Sequence, residues 1–244
     1  MNQCEKVTIN NIEGLRLAAL SFMPAECNYV VIICHGFRGT KENSGRLQRF
    51  VSRLNQINMG ALAFDFTGNG ESEGKFSEIS LTRQVRDLSC VIDYVKRRCR
   101  KPIILLGRSF GGSTVAASAI KKPEIAAYIF WSTPLLLSQT FGSPGDQQSR
   151  LEIKNEVPLS LIEDLKNHDM SEYLAAIKDK PVLVVHGGAD ETVSLENVDQ
   201  FKRHVPQAAC TIVDCADHHF TDHAKIRDDL TVSWLKRTFL SILN

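Results

Sequence analysis

No stretch of the 244 residues approaches the ~20 consecutive apolar positions of a membrane-spanning helix. The opening Met-Asn-Gln-Cys-Glu-Lys places no apolar run behind a basic start, so no secretory leader is expected. Charge of one sign is equally scarce. The 29 Lys and Arg balance 28 Asp and Glu to a formal net charge of +1, which gives no footprint for nucleic acid or for an anionic bilayer. Neither is expected as a partner. Cys4, Cys27, Cys34, Cys90, Cys99, Cys210 and Cys215 contain no Cys-x-x-Cys pair, so a zinc ribbon and a dithiol redox site lack support. Cys34, inside an apolar run, reads as a reduced, buried thiol. A soluble, reducing, cytoplasmic setting is the expectation. Repeats, low-complexity tracts and Pro/Gly/Ser-rich linkers are missing too, which predicts one domain over residues 1–244.

What is present is alternation. Short apolar runs read as buried strands at Tyr29–Cys34, Ala61–Phe66, Pro102–Gly107, Ala127–Trp131, Pro181–His186 and Cys210–Asp214. Between them the apolar spacing lengthens to helical steps, most clearly at Leu81, Val85, Leu88, Val91, Ile92 and Val95. Arg46–Ile57, Leu195–Val205 and Thr221–Leu243 share that spacing. Strands apolar on both faces and separated by helices predict a mostly parallel sheet covered on both sides. Val7–Phe22 predicts an antiparallel hairpin, with its turn at Asn10-Asn11 or Glu13-Gly14. The connection from Pro134 to Lys180 is too long for a simple crossover. Its later part, Leu159–Ile177, is helix-compatible, and the whole is expected to form a small cap over about residues 135–178 that walls the substrate with Leu135, Leu136, Leu137, Phe141 and Leu151.

The chemistry is written most clearly around Ser109. An apolar strand runs into Gly107-Arg108-Ser109-Phe110-Gly111 and an Ala-rich helix runs out. Gly-x-Ser-x-Gly alone is a weak signal, but strand–turn–helix is the context of a nucleophile elbow. A serine hydroxyl needs a base, and the base needs an orienting acid. Pro181–Asp190 offers Asp190 just past a later strand. Cys210–Phe220 then offers His218 and the adjacent His219, which spacing alone does not separate. Serine, then acid, then histidine is the chain order used on α/β-hydrolase sheets. His35-Gly36-Phe37 ends an early strand where the backbone amide of Phe37, with that of Phe110, can form an oxyanion hole. The His35 side chain is expected to hold that loop.

These pieces resemble the α/β-hydrolase superfamily, and within it the compact bacterial cinnamoyl/feruloyl esterase-like serine hydrolases. The resemblance rests on His35-Gly36-Phe37, Asp65 with Gly68-Asn69-Gly70-Glu71-Ser72, Gly107–Gly112, His186-Gly187 through Asp190, and Ala216-Asp217-His218-His219-Phe220. It implies an α/β-hydrolase fold with the cap between the sixth and seventh core strands. It also implies Ser109, Asp190 and His218 as the catalytic set, because the family histidine follows Ala-Asp directly. Where many relatives carry His or Gln beside the serine, this chain has Arg108 and Phe110. The expected activity is a serine carboxylesterase for small or aromatic acyl groups, with peptidase or amidase action as the alternative and a non-catalytic ligand-binding module further behind. A small-molecule ester is the expected partner, with no cofactor.

Other motifs carry less. Gly68-x-Gly70-x-x-x-Gly74 misses the dinucleotide spacing, and its helix starts only near Ser80, so it is expected to brace the site. His218, His219 and His223 with Asp217 and Asp222 lack a recognisable ligand spacing, so no metal is expected. Lys96–Lys101 closes a helix and complements its dipole.

Overall fold

A computed structural model describes residues 4–43, 45–142 and 157–240. Eight strands form one sheet in the order β1-β2-β4-β3-β5-β6-β7-β8: β1 Cys4–Asn10, β2 Arg16–Phe22, β3 Tyr29–Cys34, β4 Met59–Phe64, β5 Ile103–Arg108, β6 Ala127–Trp131, β7 Val182–Gly187 and β8 Ala209–Val213. β1 pairs antiparallel with β2, and β2 antiparallel with β4. Every pairing from β4 through β8 is parallel. The hairpin pairs Asn10 with Arg16, so its loop spans both expected turn sites and closes through Gly14 N–H donating to Asn11 O.

The period-two alternation of each strand divides its side chains between two cores. Val30, Ile32 and Cys34 of β3 face one core, and Val31 and Ile33 the other. In β5, Ile103 and Leu105 join the first core, and Ile104 and Leu106 the second. The second face is covered by α1 (Leu47–Asn55), through Leu47, Phe50, Val51 and Leu54, and by the C-terminal helix Ala224–Phe239, through Val232, Trp234 and Leu235. The first face is covered by α2 (Leu81–Cys99) and α3 (Phe110–Ser118). Ser80 caps α2 by accepting from Arg83 N–H, and the expected basic run ends it, with Arg100 left-handed just beyond. All nine residues of α3 are buried, which its small, apolar composition permits.

Between β6 and β7 the described chain forms α4 (Leu137–Phe141), α5 (Leu159–Asp164), a single 3₁₀ turn at Leu165–Asn167, and α6 (Met170–Ala175). The helical expectation for Leu159–Ile177 is thus broken in the middle. Asp169 accepts from Ser171 N–H and starts a new helix where the old one would have continued. Leu161, Met170 and Leu174 pack into the first core, on the α2/α3 side. Ser143, Pro144, Gly145 and Leu151 of the expected cap lie outside the described residues. Helix α7 (Glu196–His204) joins β7 to β8, and Ala224–Phe239 is α8.

The strand order sets the site. After β3 the chain crosses to β4 on one side, then returns to place β5 on the other side of β3. The loops leaving β3 and β5 therefore diverge and open a crevice at the carboxyl edge of the sheet, where open α/β sheets bind ligands.

Candidate active site

Ser109 sits in that crevice, between β5 and α3. Its backbone takes φ 51°, ψ −129°, a conformation that L side chains occupy only when the surroundings impose it. The imposition is visible: Ser109 N–H donates to Trp131 O at 2.8 Å, and Gly112 N–H to Ser109 O at 2.7 Å. The turn is tight enough that a Cβ on Gly111 would stand 2.5 Å from Cys34 O and collide with His35 O. Glycine is required there so that α3 can lie against the end of β3.

The structure brings Ser109, Asp190 and His218 into one hydrogen-bonded chain. His218 Nε2 lies 3.0 Å from Ser109 Oγ. His218 Nδ1 lies 2.9 and 3.0 Å from the two carboxylate oxygens of Asp190. The His219 ring points elsewhere, with Nδ1 accepting from Arg108 Nη2. One residue of backbone rotation thus separates the neighbouring histidines.

Asp190 is held from several sides. Thr192 N–H and Val193 N–H donate to its Oδ1 at 2.9 and 2.8 Å. The buried His186 ring lies 3.3 Å from Oδ2 and donates Nε2–H to Val193 O. Burial alone would push the Asp190 carboxyl upward, but the bond to His218 and the two amides outweigh it and hold it below the usual carboxylate range. Asp190 is therefore an anion that fixes the His218 tautomer, with Nδ1–H toward the acid and Nε2 free to accept from Ser109.

The β3 loop lies directly against the serine: a Cβ on Gly36 would come within 3.0 Å of Ser109 Cβ. The amides of Phe37 and Phe110 make no hydrogen bond to a described residue. His35 holds this loop. Its Nδ1–H donates to Gly36 O at 2.8 Å and its Nε2 accepts from Phe66 N–H at 3.1 Å. Burial pushes its pKa down, in keeping with a neutral ring.

A second brace was invisible in the sequence. Lys41, whose side chain is 1% exposed, places Nζ 2.8 Å from Asp65, 2.5 Å from Glu71 and 3.0 Å from Glu42. Its backbone N–H donates to Asp65 Oδ1 at 2.6 Å. The Gly68–Ser72 turn wraps the same carboxylate, with Glu71 N–H donating to Oδ2 at 2.9 Å. Gly70, at φ +52°, leaves the room that the Asp65 carboxylate fills. This turn supports the β3 loop, as expected of it. Only Asp65 and the glycines signalled it; nothing in Thr40-Lys41-Glu42 marks a buried lysine.

The two flanks of Ser109 differ. On the α2/α3 side the rings of Phe37, Phe76, Phe110 and Phe141 meet edge to face, with Phe110 and Phe141 centroids 4.9 Å apart and Phe37 and Phe141 5.6 Å apart. On the α1/α8 side stand Arg108, His219, Asn43 and Arg46. A cleft of about 690 Å³ lies beyond α4, lined among others by Leu135, Leu137, Leu165, His168 and Met170 and by none of Ser109, Asp190 and His218. Among the described residues no group of His, Cys, Asp and Glu is placed to hold a metal.

Residues 25–179 match the model of the Hydrolase_4 family, described as serine aminopeptidase, S33. The chain belongs to this family. It is a hydrolase of the α/β-hydrolase superfamily, with the superfamily's fold. The hydrolase is similar to the Butyrivibrio proteoclasticus protein Est1E, solved with ferulic acid bound, at 22% identity and TM-score 0.83, covering 95% of this chain and 98% of that one. It is similar in fold to the Pyrococcus furiosus esterase Pf2001, at 21% identity and TM-score 0.78, covering 97% and 93%. Among curated relatives, the mouse mitochondrial palmitoyl-protein thioesterase ABHD10 is 27% identical over 186 residues, 68% of this chain and 61% of that protein. The uncharacterised protein YfhR of Salmonella typhi is 27% identical over 211 residues, 81% of this chain and 68% of that protein. No described helix of the hydrolase is long and apolar enough to cross a membrane.

Proposed function

We propose that the protein is a serine carboxylesterase that works through an acyl-enzyme, with Ser109 as nucleophile, His218 as general base and acid, and Asp190 as the orienting anion. The observation that supports this most is the His218 ring, which sits 3.0 Å from Ser109 Oγ on one side and 2.9 Å from Asp190 on the other.

In this reading Ser109 gives its proton to His218 Nε2 as Oγ attacks the ester carbonyl carbon. The carbonyl oxygen becomes an oxyanion between the amides of Phe37 and Phe110, each worth roughly 3 kcal/mol in the transition state. His218 passes the proton to the departing alcohol oxygen, leaving an acyl-Ser109 ester. A water then gives a proton to His218 and attacks the acyl carbon, and His218 returns that proton to Ser109 as the acid leaves. No step needs a metal or an organic cofactor.

The partly exposed rings of Phe37 and Phe76, backed edge to face by the buried rings of Phe110 and Phe141, form an apolar wall suited to small or aromatic acyl groups. The connection after β6 contributes Phe141 to that wall, so it is read as part of a specificity cap. A peptidase or amidase reading is favoured by the family's description as serine aminopeptidase, since the same groups can cleave an amide. The test is a matched panel of nitrophenyl and hydroxycinnamate esters, an acyl thioester and an aminoacyl nitroanilide. Turnover of the esters that falls by several orders of magnitude in folded Ser109→Ala is expected. Selective turnover of the nitroanilide would replace esterase with aminopeptidase, and near-wild-type turnover by Ser109→Ala would remove the assignment.

A further inference from the structure

Arg108 directly precedes Ser109 and extends the even-numbered series Ile104 and Leu106, which faces the second core. Strand parity therefore sends the guanidinium to the α1/α8 side of the crevice, opposite the aromatic wall. There its Nη1 donates to Asn43 Oδ1 at 3.0 Å and its Nη2 donates to His219 Nδ1. Both acceptors are neutral. No described carboxylate lies within ion-pairing distance of Arg108 or of Arg46, which donates to His219 O at 2.8 Å and, at 3.4 Å, to Thr221 O. Arg227, also on this side, is already paired with Asp228 at 2.8 Å and lies over the Trp131 ring.

Nearby acids are spoken for. Asp190 binds His218, Asp217 accepts from Thr221 N–H and Oγ, and Glu191 accepts from His218 N–H. Burial, then the like charges of Arg227 and Arg46, push the Arg108 pKa down to about 10 against the opposing pull of Asp217 and Asp190, so it stays charged at neutral pH with no described carboxylate in direct contact. A guanidinium carries more N–H donors than these two bonds use, in a planar fork that matches carboxylate and phosphate oxygens.

The position says which part of a substrate would meet it. The His219 and His218 rings lie 5.2 Å apart, so Arg108 stands one imidazole away from the ring bonded to Ser109. In acyl transfer the departing oxygen takes its proton from His218 Nε2, so the alcohol part passes on the histidine side while the acyl part faces away. We propose that Arg108, with Arg46 on the same rim, is a subsite for an anionic oxygen group, carboxylate or phosphate, carried on the alcohol portion of the substrate. This rests on the serine-esterase reading for its direction, but not for the existence of the subsite.

The experiment keeps the two apart. Binding to folded Ser109→Ala is measured by calorimetry for 3-hydroxybenzoate, 3-hydroxyphenyl phosphate and neutral 3-hydroxybenzamide. The wild type is assayed in parallel on the acetate esters of the same three phenols. At least one anion is expected to bind about 10- to 100-fold tighter than the amide, and which of the two does so identifies the preferred group. The preference should shrink as ionic strength rises. Adding Arg108→Gln should erase most of it, Arg108→Lys should keep part of it, and Arg46→Gln should weaken it severalfold. Equal binding of anion and amide overturns the proposal, as does a preference that survives in folded Arg108→Gln. If Arg108→Gln does not fold, a preference unchanged by Arg108→Lys and by Arg46→Gln overturns it equally. Anion preference without turnover of any ester would remove the esterase reading and leave the subsite, and ester turnover without anion preference would do the reverse.

Discussion

Two carboxylates stand just past the ends of parallel strands, Asp65 after β4 and Asp190 after β7, and both side chains are 0% exposed. Each takes backbone amides from the turn that follows it: Glu71 N–H in one case, Thr192 and Val193 N–H in the other. Each also holds a basic side chain from elsewhere in the chain. Around Asp65 that side chain is Lys41, a fixed cation at working pH, and the result is a clamp on the loop that bears Gly36 and Phe37. Around Asp190 it is His218, an imidazole with a nitrogen on each side, and its far nitrogen points at Ser109. The local architecture is the same. The partner's chemistry alone makes one region a brace and the other a candidate proton relay.

The sharpest way to break this comparison is His218→Ala. It should lower kcat by about 10⁴- to 10⁶-fold in steady-state ester assays while the thermal midpoint changes little. His219→Ala, assayed beside it, should stay within about tenfold of wild type, because its ring reaches Arg108 rather than Ser109 or Asp190. The reverse ranking would move the base to His219.

Asp190→Asn is the next largest. It keeps the shape but removes the charge that fixes the His218 tautomer, so kcat should fall about 10³- to 10⁴-fold. Asp65→Asn separates the two regions by a different readout. It leaves the Lys41 ammonium buried with only the half-exposed Glu42 and Glu71 as anionic partners, which should cost about 3 kcal/mol or more. In calorimetry the midpoint should drop by roughly 5–10 °C. Its effect on kcat should be smaller than that of Asp190→Asn and should come through the β3 loop. A variant at Asp65 that loses turnover but not stability would make Asp65 part of the relay, and the contrast would fail.

The smallest expected effect concerns the aromatic flank. Phe141→Ala removes a ring that is 5% exposed and packs against Phe37 and Phe110. The ratio of kcat/KM for hydroxycinnamate over acetate esters should fall about 3- to 10-fold. An unchanged ratio would place the acyl group elsewhere.

Local signals were enough for part of this. The Gly107–Gly112 turn was legible because strand, turn and helix are contiguous, and the steric need for Gly107, whose Cβ would collide with the Gly111 and Gly112 backbone, acts across the first turn of α3. Asp190 and the His218–His219 pair were legible because each follows an apolar strand in a fixed chain order, although spacing left the two histidines undivided. The break at Asn167–Asp169 was missed because apolar spacing continues through it, while a capping aspartate decides locally where a helix restarts. Lys41 was not legible at all. A lysine beside Glu42 reads as solvated loop, and its burial depends on a carboxylate 24 residues away.

The sequence by itself therefore determined the doubly covered parallel sheet and the elbow at Ser109, and it narrowed the candidate acid and base to strand-end residues. Those features follow from period-two and helical apolar spacing and from the backbone freedom of glycine, which act over a few residues. Tertiary structure alone decided that His218 rather than His219 meets both Ser109 and Asp190, that Asp65 closes on Lys41, and that Arg108 lies beside His219 across 111 positions of chain. Those outcomes depend on where the β3–β5 crossing brings loop ends together, and on which charges the packed sheet leaves without an ion-pair partner among the described residues.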